Sequence, residues 1–262
     1  MAFEYINAMT GDILDILDRR NQFTIKNHFI ANYSLADRKS VKSVTIDMNA
    51  GYATVIKELF PNAEIIIDRF HLVQLISRSM SKCRIQVMNQ LSKSNGEDLK
   101  KYRRLKRFWK LLLKNATNIS NTEYKYYPLF GQRTEAGIIV EMLTYSPVLK
   151  ANYEIYQSLL KAMSTKDFDT LKFHLEEPVG SLISGYMRTS LKTLRKHLPY
   201  IRNSFIFPYN NGRIEGINNK IKVLNRVAYG YRNFQNYKKR ILIHFKFKPV
   251  ESNIRQPHLV VA

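Results

Sequence analysis

The segment "IDMNAGYATVIKELFPNAEIIIDRFH", residues 46–71, places Asp47 and Asp68 each directly after a short run rich in β-branched residues. If both runs are strands of one parallel sheet, the acids fall at its carboxyl edge, where α/β sheets bind their ligands. Carboxylates that converge there can hold divalent cations, and Mg²⁺ takes oxygen ligands while keeping several waters. Two such ions about 3.5–4 Å apart would activate an attacking water or hydroxyl and stabilise the leaving oxygen of a phosphodiester. Asp68 fits a structural part equally well, because it precedes a helical pattern starting near Phe70 and Asp is a favoured N-cap. His71, three residues on, fits a hydrogen-bonded core position, and its role stays open.

A second constellation is "NNGRIEGINNKIKVLNRVAYGYRNF", residues 210–234. In a helix starting near Arg213, Ile214, Ile217, Ile221 and Leu224 form one apolar stripe, and Glu215, Asn218, Asn219 and Lys222 form the opposite one. Asn is a poor residue for a helix interior, and a merely solvated face would use Glu, Lys or Gln. Amides flanked by an acid and a base suit directional hydrogen bonding: a metal-binding Glu215, with Asn218, Asn219, Lys222 and Arg226 gripping phosphates. An ordinary exposed face is the plain alternative. The run "KKYRRLKRFWKLLLK", residues 100–114, holds eight basic residues in fifteen and offers Lys100, Lys101, Arg103, Arg104 and Arg107 as phosphate contacts. A calmodulin-target helix or a membrane-surface helix would read the same way.

The elements that must carry these residues follow from period and punctuation. Phe3 to Asn7 and Ile13 to Leu17 read as a hairpin turned at Thr10-Gly11-Asp12. Residues 23–33 read as a helix, "VKSVTID" as a strand, "YATVIKELF" as a helix stopped by Pro61, and "AEIIID" as a second strand. Strand, helix, strand with short connections predicts a parallel pair and an α/β core. After Asp68 the period becomes about 3.6. Leu72, Leu75, Ile76, Met80, Cys83 and Val87 share one face, and Leu99, Tyr102, Leu105, Trp109 and Leu112 another. Further helices are expected over 134–145, 148–163, 168–176 and 181–197, with breaks at Pro147, Pro178 and Pro199. "SFIFPYNNG" reads as a short extended piece and turn before two last helices, 213–227 and 233–247. The expected division is an α/β core over 1–80 and 205–247, a helical insertion over 81–204 and a flexible tail over 248–262.

Composition narrows the partners. The 262 residues are 45% hydrophobic, enough for a core, and 42 Lys plus Arg against 21 Asp plus Glu give a net charge of +21. That surplus suits a polyanion, with nucleic acid ahead of an anionic membrane surface. The single Cys83 excludes a disulfide framework or a cysteine-built zinc site within one chain and fits a reducing cytoplasm. No apolar run approaches the roughly 18 residues of a membrane span, and the first residues lack a signal-peptide pattern, so no membrane partner is expected.

The two motifs at this separation resemble the DDE transposases of bacterial insertion sequences, specifically the ISL-three family. The resemblance implies an RNase H-like fold with a helical insertion before the last acid. It also implies Mg²⁺- or Mn²⁺-dependent hydrolysis at terminal inverted repeats, with a two-metal site if complete, and transfer of the freed 3′-hydroxyl into target DNA. Such transposases begin with a zinc-binding segment and a helix-turn-helix, followed by a strand that supplies the first catalytic Asp. This sequence shows none of these and is expected to start at the second strand, "FEYIN". Asp47 then matches the second acid and Glu215 the third, these two holding metal, with Asp68 as a supporting acid. The other alignment makes Asp47 the first acid and Asp68 the second, but leaves too few elements between them. The expectation is therefore an RNase H-like core without its first strand: a truncated, catalytically incomplete transposase that binds DNA. The alternative is a non-catalytic basic DNA-binding protein that modulates full-length transposase, with a homo-oligomer or a full-length copy as protein partner.

Overall fold

The computed structural model describes residues 2–48, 50–91 and 96–246. Its chain divides into two compact units: the described residues up to Asp68 together with those from Ile206 on, and Arg69–Phe205.

In the first unit β1 (Phe3–Ile6) and β2 (Ile13–Leu17) pair antiparallel, with Phe3 opposite Leu17, as the alternation predicted. The turn depends on Gly11, whose φ of 77° is open to glycine and whose N–H donates to the Asn7 carbonyl at 2.8 Å. Helix α1 (Gln22–Asn32) starts where the Asn21 side chain accepts from the Thr24 N–H, and it buries Ile25 and Phe29. Helix α2 (Leu35–Ser40) was not legible from apolar period; a capping box between Ser34 and Asp37 defines it. Next come β3 (Ser43–Ile46), α3 (Ala50–Leu59) and β4 (Glu64–Ile67).

Strands β3 and β4 are parallel, in register from Ser43 opposite Glu64 to Ile46 opposite Ile67. The Glu64 N–H donates to the Lys42 carbonyl and the Asp68 N–H to the Ile46 carbonyl. By the alternation of a parallel ladder, Val44 and Ile46 then aim their backbone groups at β4, and Ser43 and Thr45 aim theirs at the opposite edge. Ile65, Ile66 and Ile67 of β4 are all at or below 2% exposure, whereas every residue of β3 is half-buried. Among the described residues β1–β2 and β3–β4 remain separate two-stranded sheets.

The second unit is mostly helical. Helix α4 (Arg69–Gln90) buries Leu72, Ile76, Met80, Cys83 and Val87, the stripe read from period. The expected single basic helix is instead α5 (Gly96–Arg107) and α6 (Trp109–Leu113), interrupted at Phe108. A hairpin of β5 (Lys125–Tyr127) and β6 (Gly131–Arg133) follows, in a stretch of the largely helical block to which the sequence assigns no element. Then come α7 (Glu135–Leu143), α8 (Pro147–Ser164), α9 (Phe168–Glu176), α10 (Gly185–Lys196) and α11 (Leu198–Ile206). Two expected breaks are helix starts: Pro147 occupies the first turn of α8 behind the Ser146 cap, and Pro199 lies in the first turn of α11. Residues Ser204 to Ile206, expected to be extended, are the last turn of α11.

The chain closes with α12 (Gly212–Val227) and α13 (Phe234–Lys246) in the first unit. Ile214, Ile221 and Leu224 are half-buried and Ile217 is buried, so the apolar stripe faces inward as predicted. The expected tail, 248–262, lies outside the described residues.

Candidate metal and nucleic-acid site

Asp47 and Asp68 each follow the last residue of a strand, and because Ile46 and Ile67 are partners they occupy neighbouring strand ends. Their environments differ. Asp47 is exposed, whereas Asp68 is only 4% exposed. One residue holds both: the Asn211 backbone N–H donates to Asp68 Oδ2 at 2.8 Å, and its side-chain Nδ2 donates to Asp47 Oδ1 at 2.8 Å.

Asn211 is also the N-cap residue of α12, and its carbonyl accepts the Glu215 N–H at 2.9 Å. Its side chain makes no capping bond within the helix. The amide is turned to Asp47 instead, so the first turn of α12 is fastened to both strand ends. Arg213 adds a second tie, donating from Nη1 to the Met9 carbonyl at 2.6 Å and the Ala8 carbonyl at 3.2 Å in the β1–β2 turn. Glu215 is thereby set one helical turn beyond the acids' anchor, near the positive end of the helix dipole. It is exposed, as are Asn218, Asn219, Lys222 and Arg226 along α12.

The structure therefore joins Asp47 and Asp68 through Asn211 and places Glu215 on the helix that Asn211 starts. Among the described residues no three His, Cys, Asp or Glu side chains stand close enough to hold a metal ion together. The exposed carboxylates of Asp47 and Glu215 are hard oxygen donors of the kind Mg²⁺ or Mn²⁺ takes with waters completing its shell. Asp68 Oδ2 already accepts a backbone donor, which suits it to holding the frame. Asn211 was not singled out from sequence; the signal was its N-cap position beside a Gly-Arg pair, but its two acceptors lie 143 and 164 residues away in sequence.

The basic run is arranged less openly than its composition suggested. Arg104 donates to Glu141 Oε1 at 2.7 Å and to the Tyr145 hydroxyl at 3.2 Å. Its Nε and Nη2 close on the Leu129 carbonyl at 2.9 and 2.7 Å, and its guanidinium lies 4.5 Å from the Phe130 ring centre. Leu129 has a φ of 76°, unfavourable for a bulky side chain, so Arg104 braces a strained hairpin tip. Lys100 pairs with Glu97 at 2.8 Å, Lys101 with Asp98 at 3.7 Å and Lys114 with Glu135 at 2.5 Å. Arg103, Lys106, Arg107 and Lys110 remain exposed, and no salt bridge is seen for them among the described residues. No helix among the described residues is long and apolar enough to cross a membrane.

A family model described as a transposase of the ISL3 (ISL-three) type matches residues 2–241. The chain is similar to the transposase for insertion sequence element IS1001 of Bordetella parapertussis, 29% identical over 201 residues, 74% of this chain and 45% of that protein. It is also similar to an ATP-dependent protease of Lactococcus lactis subsp. lactis, 42% identical over 110 residues, 42% of this chain and 35% of that protein. The chain thus spans less than half the length of these curated relatives. No solved structure matches it.

Proposed function

The chain belongs to the ISL3 family of transposases, and from that premise we propose that its first unit is the acid-bearing part of a DDE-type domain that binds, cuts and joins DNA. The observation that carries this reading is the double hold of Asn211 on Asp47 and Asp68, which fastens the Glu215 helix to the carboxyl ends of a parallel strand pair. The protease name of the Lactococcus relative points elsewhere. Yet that match covers 110 residues against the family's 2–241, and the sequence carries no GxxxxGK[ST] phosphate loop for ATP.

In this reading Asp47 and Glu215 are the second and third acids and hold the metal ion, while Asp68 supports them. A bound Mg²⁺ or Mn²⁺ supplies Lewis acidity to the phosphodiester and to the attacking oxygen. Asn211 fixes the Asp47 carboxylate, and Asn218, Asn219, Lys222 and Arg226 orient the DNA backbone. An RNase H-like sheet has one strand between the pairs represented here by β1–β2 and β3–β4. Two observations support that assignment: the pairs are separate sheets, and β3 is more exposed than β4 with the Ser43 and Thr45 backbone aimed at its outer edge. The first acid belongs on such a middle strand, so the acids within these 262 residues form an incomplete set. DNA, as terminal inverted repeats and target, is the substrate, and a second copy or a full-length transposase is the protein partner.

A second reading keeps the DNA and drops the chemistry: a basic protein that modulates a full-length transposase. Among the described residues two acids, not three, converge on Asn211, which favours it. A Mg²⁺ or Mn²⁺ titration on labelled terminal-repeat DNA, with binding and nicking read in the same tubes, decides between them. Nicking that disappears with Asp47→Asn and Glu215→Gln supports catalysis by these acids. Binding without nicking supports the modulator, and nicking that disappears with Asp68→Asn while Asp68→Asn still folds reassigns Asp68 as catalytic.

A further inference from the structure

The polar stripe of α12 runs from Glu215 through Asn218, Asn219, Lys222 and Arg226, and Tyr229 follows just past the helix end at Val227. Tyr229 is 100% exposed and has a φ of 53°. It sits in a closing motif where the Tyr229 N–H donates to the Arg226 carbonyl at 3.1 Å and the Gly230 N–H to the Asn225 carbonyl at 2.9 Å. Helices that end this way place glycine at the left-handed position, because a β-carbon there meets the backbone. Here Gly230, φ 92°, comes one residue later, and a tyrosine takes the strained place.

The ring gives the fold nothing in return. Tyr231, two residues on, stacks on Tyr237 with ring centres 4.7 Å apart, whereas Tyr229 stands wholly in solvent. Strain kept at an exposed aromatic, at the end of a stripe that also carries Lys222 and Arg226, is the arrangement expected of a ligand contact. Aromatic faces with cations beside them suit nucleic acid, the rings stacking on bases while the cations meet phosphates. We propose that Tyr229 is a DNA-positioning residue that stacks on a base or sugar of the strand laid along α12. This rests on the DNA-binding reading above. The helix from Glu215 to its end at Val227 rises about 18 Å, which puts Tyr229, just past that end, about 20 Å from Glu215 along the axis. At about 3.4 Å per nucleotide, its contact lies about six nucleotides from the phosphate nearest Glu215.

The strain gives a test in which stability and binding move in opposite directions. In the full 262-residue chain, Tyr229→Gly should raise Tm by about 2–4 °C, since glycine takes the left-handed position freely. On a fluorescein-labelled duplex of mixed sequence that carries a single-stranded overhang the same variant should bind about 5- to 150-fold more weakly, the loss expected for one stacked base. Its dependence on salt should be unchanged, because no phosphate contact is removed. Tyr229→Phe should bind like the wild type. Wild-type affinity in Tyr229→Gly overturns the inference and leaves DNA binding standing; a lowered Tm also overturns it, making the ring structural. If the wild type shows no salt-sensitive binding to the duplex, the DNA reading itself falls and this inference with it.

Discussion

Asn211 donates its side-chain amide to Asp47 Oδ1 at 2.8 Å while its backbone N–H donates to the buried Asp68 at the same distance. The two acids should therefore respond differently to removal. Asp68→Ala strands the Asn211 N–H and empties a buried site, and should cost about 2–3 kcal/mol in urea unfolding. Asp47→Ala removes the acceptor of the Asn211 amide at an exposed carboxylate and should cost no more than about 1 kcal/mol. If Asp47→Ala proves the more damaging, Asp47 is the structural acid and the division of roles is reversed.

Arg104 and its neighbours should separate bracing from binding. Arg104→Ala loses the Glu141 pair, two bonds to the Leu129 carbonyl and the Phe130 contact. A loss of about 2–3 kcal/mol is expected, with the salt dependence of DNA binding kept. Arg103→Ala and Arg107→Ala should leave stability within about 0.5 kcal/mol and each flatten the slope of log K against log salt by about 0.9. The informative measurement is the slope. An unchanged slope in the double variant would remove α5 from the DNA contact.

How much of this was readable before folding depends on where the determining partner lies. Asp47 and Asp68 were legible because β-branched runs end in acids within a strand, helix, strand pattern whose partners are local. The α12 stripe was legible because isoleucines repeat at helical spacing. The β5–β6 hairpin was not: each strand has three residues, too few to show a period of two, and Phe108 packs on Tyr127 and Phe130 to fix it. The charge of residues 100–114 was visible, but not that Arg104 meets Glu141, 37 positions away. Pro147 and Pro199 did mark helix boundaries, as first-turn residues of α8 and α11, because a proline there gives up an N–H that has no intrahelical partner.

Asn152 should be the most sensitive polar residue of the helical unit. It is 0% exposed, and its amide donates to the Val148 and Leu182 carbonyls while its Oδ1 accepts the Ser184 N–H and hydroxyl. Asn152→Leu keeps the volume but leaves the Leu182 carbonyl and the Ser184 N–H without that partner, and should cost about 3 kcal/mol. Ser184→Ala loses the hydroxyl cap of α10 and should cost about 1 kcal/mol. Equal losses in the two variants, measured by chemical denaturation, would mean that the cap rather than the network holds this loop.

Glu4 makes stability depend on pH near neutrality. Burial on β1 pushes its carboxyl up to about 7, and its Oε1 is buried with no hydrogen-bond partner among the described residues. Nearby, burial first, then Tyr231 and then Glu4 push the Tyr237 hydroxyl up. Between the unfolded value of 4.5 and about 7 the folded chain holds more protons than the unfolded one, so stability falls as pH rises through that window and stays low above it. Because the side chain is only half-buried, solvent screening reduces the effect to about 1–2 kcal/mol. Glu4→Gln keeps the shape and removes the charge, so it should melt about 2–4 °C above the wild type at pH 8 and close to it at pH 5. Other groups, such as His197 with its lowered pKa from burial, titrate in both proteins and cancel in the comparison. A constant Tm difference across that range would mean that the Glu4 carboxyl is ionised throughout and that its burial is relieved by a partner on the β1 side.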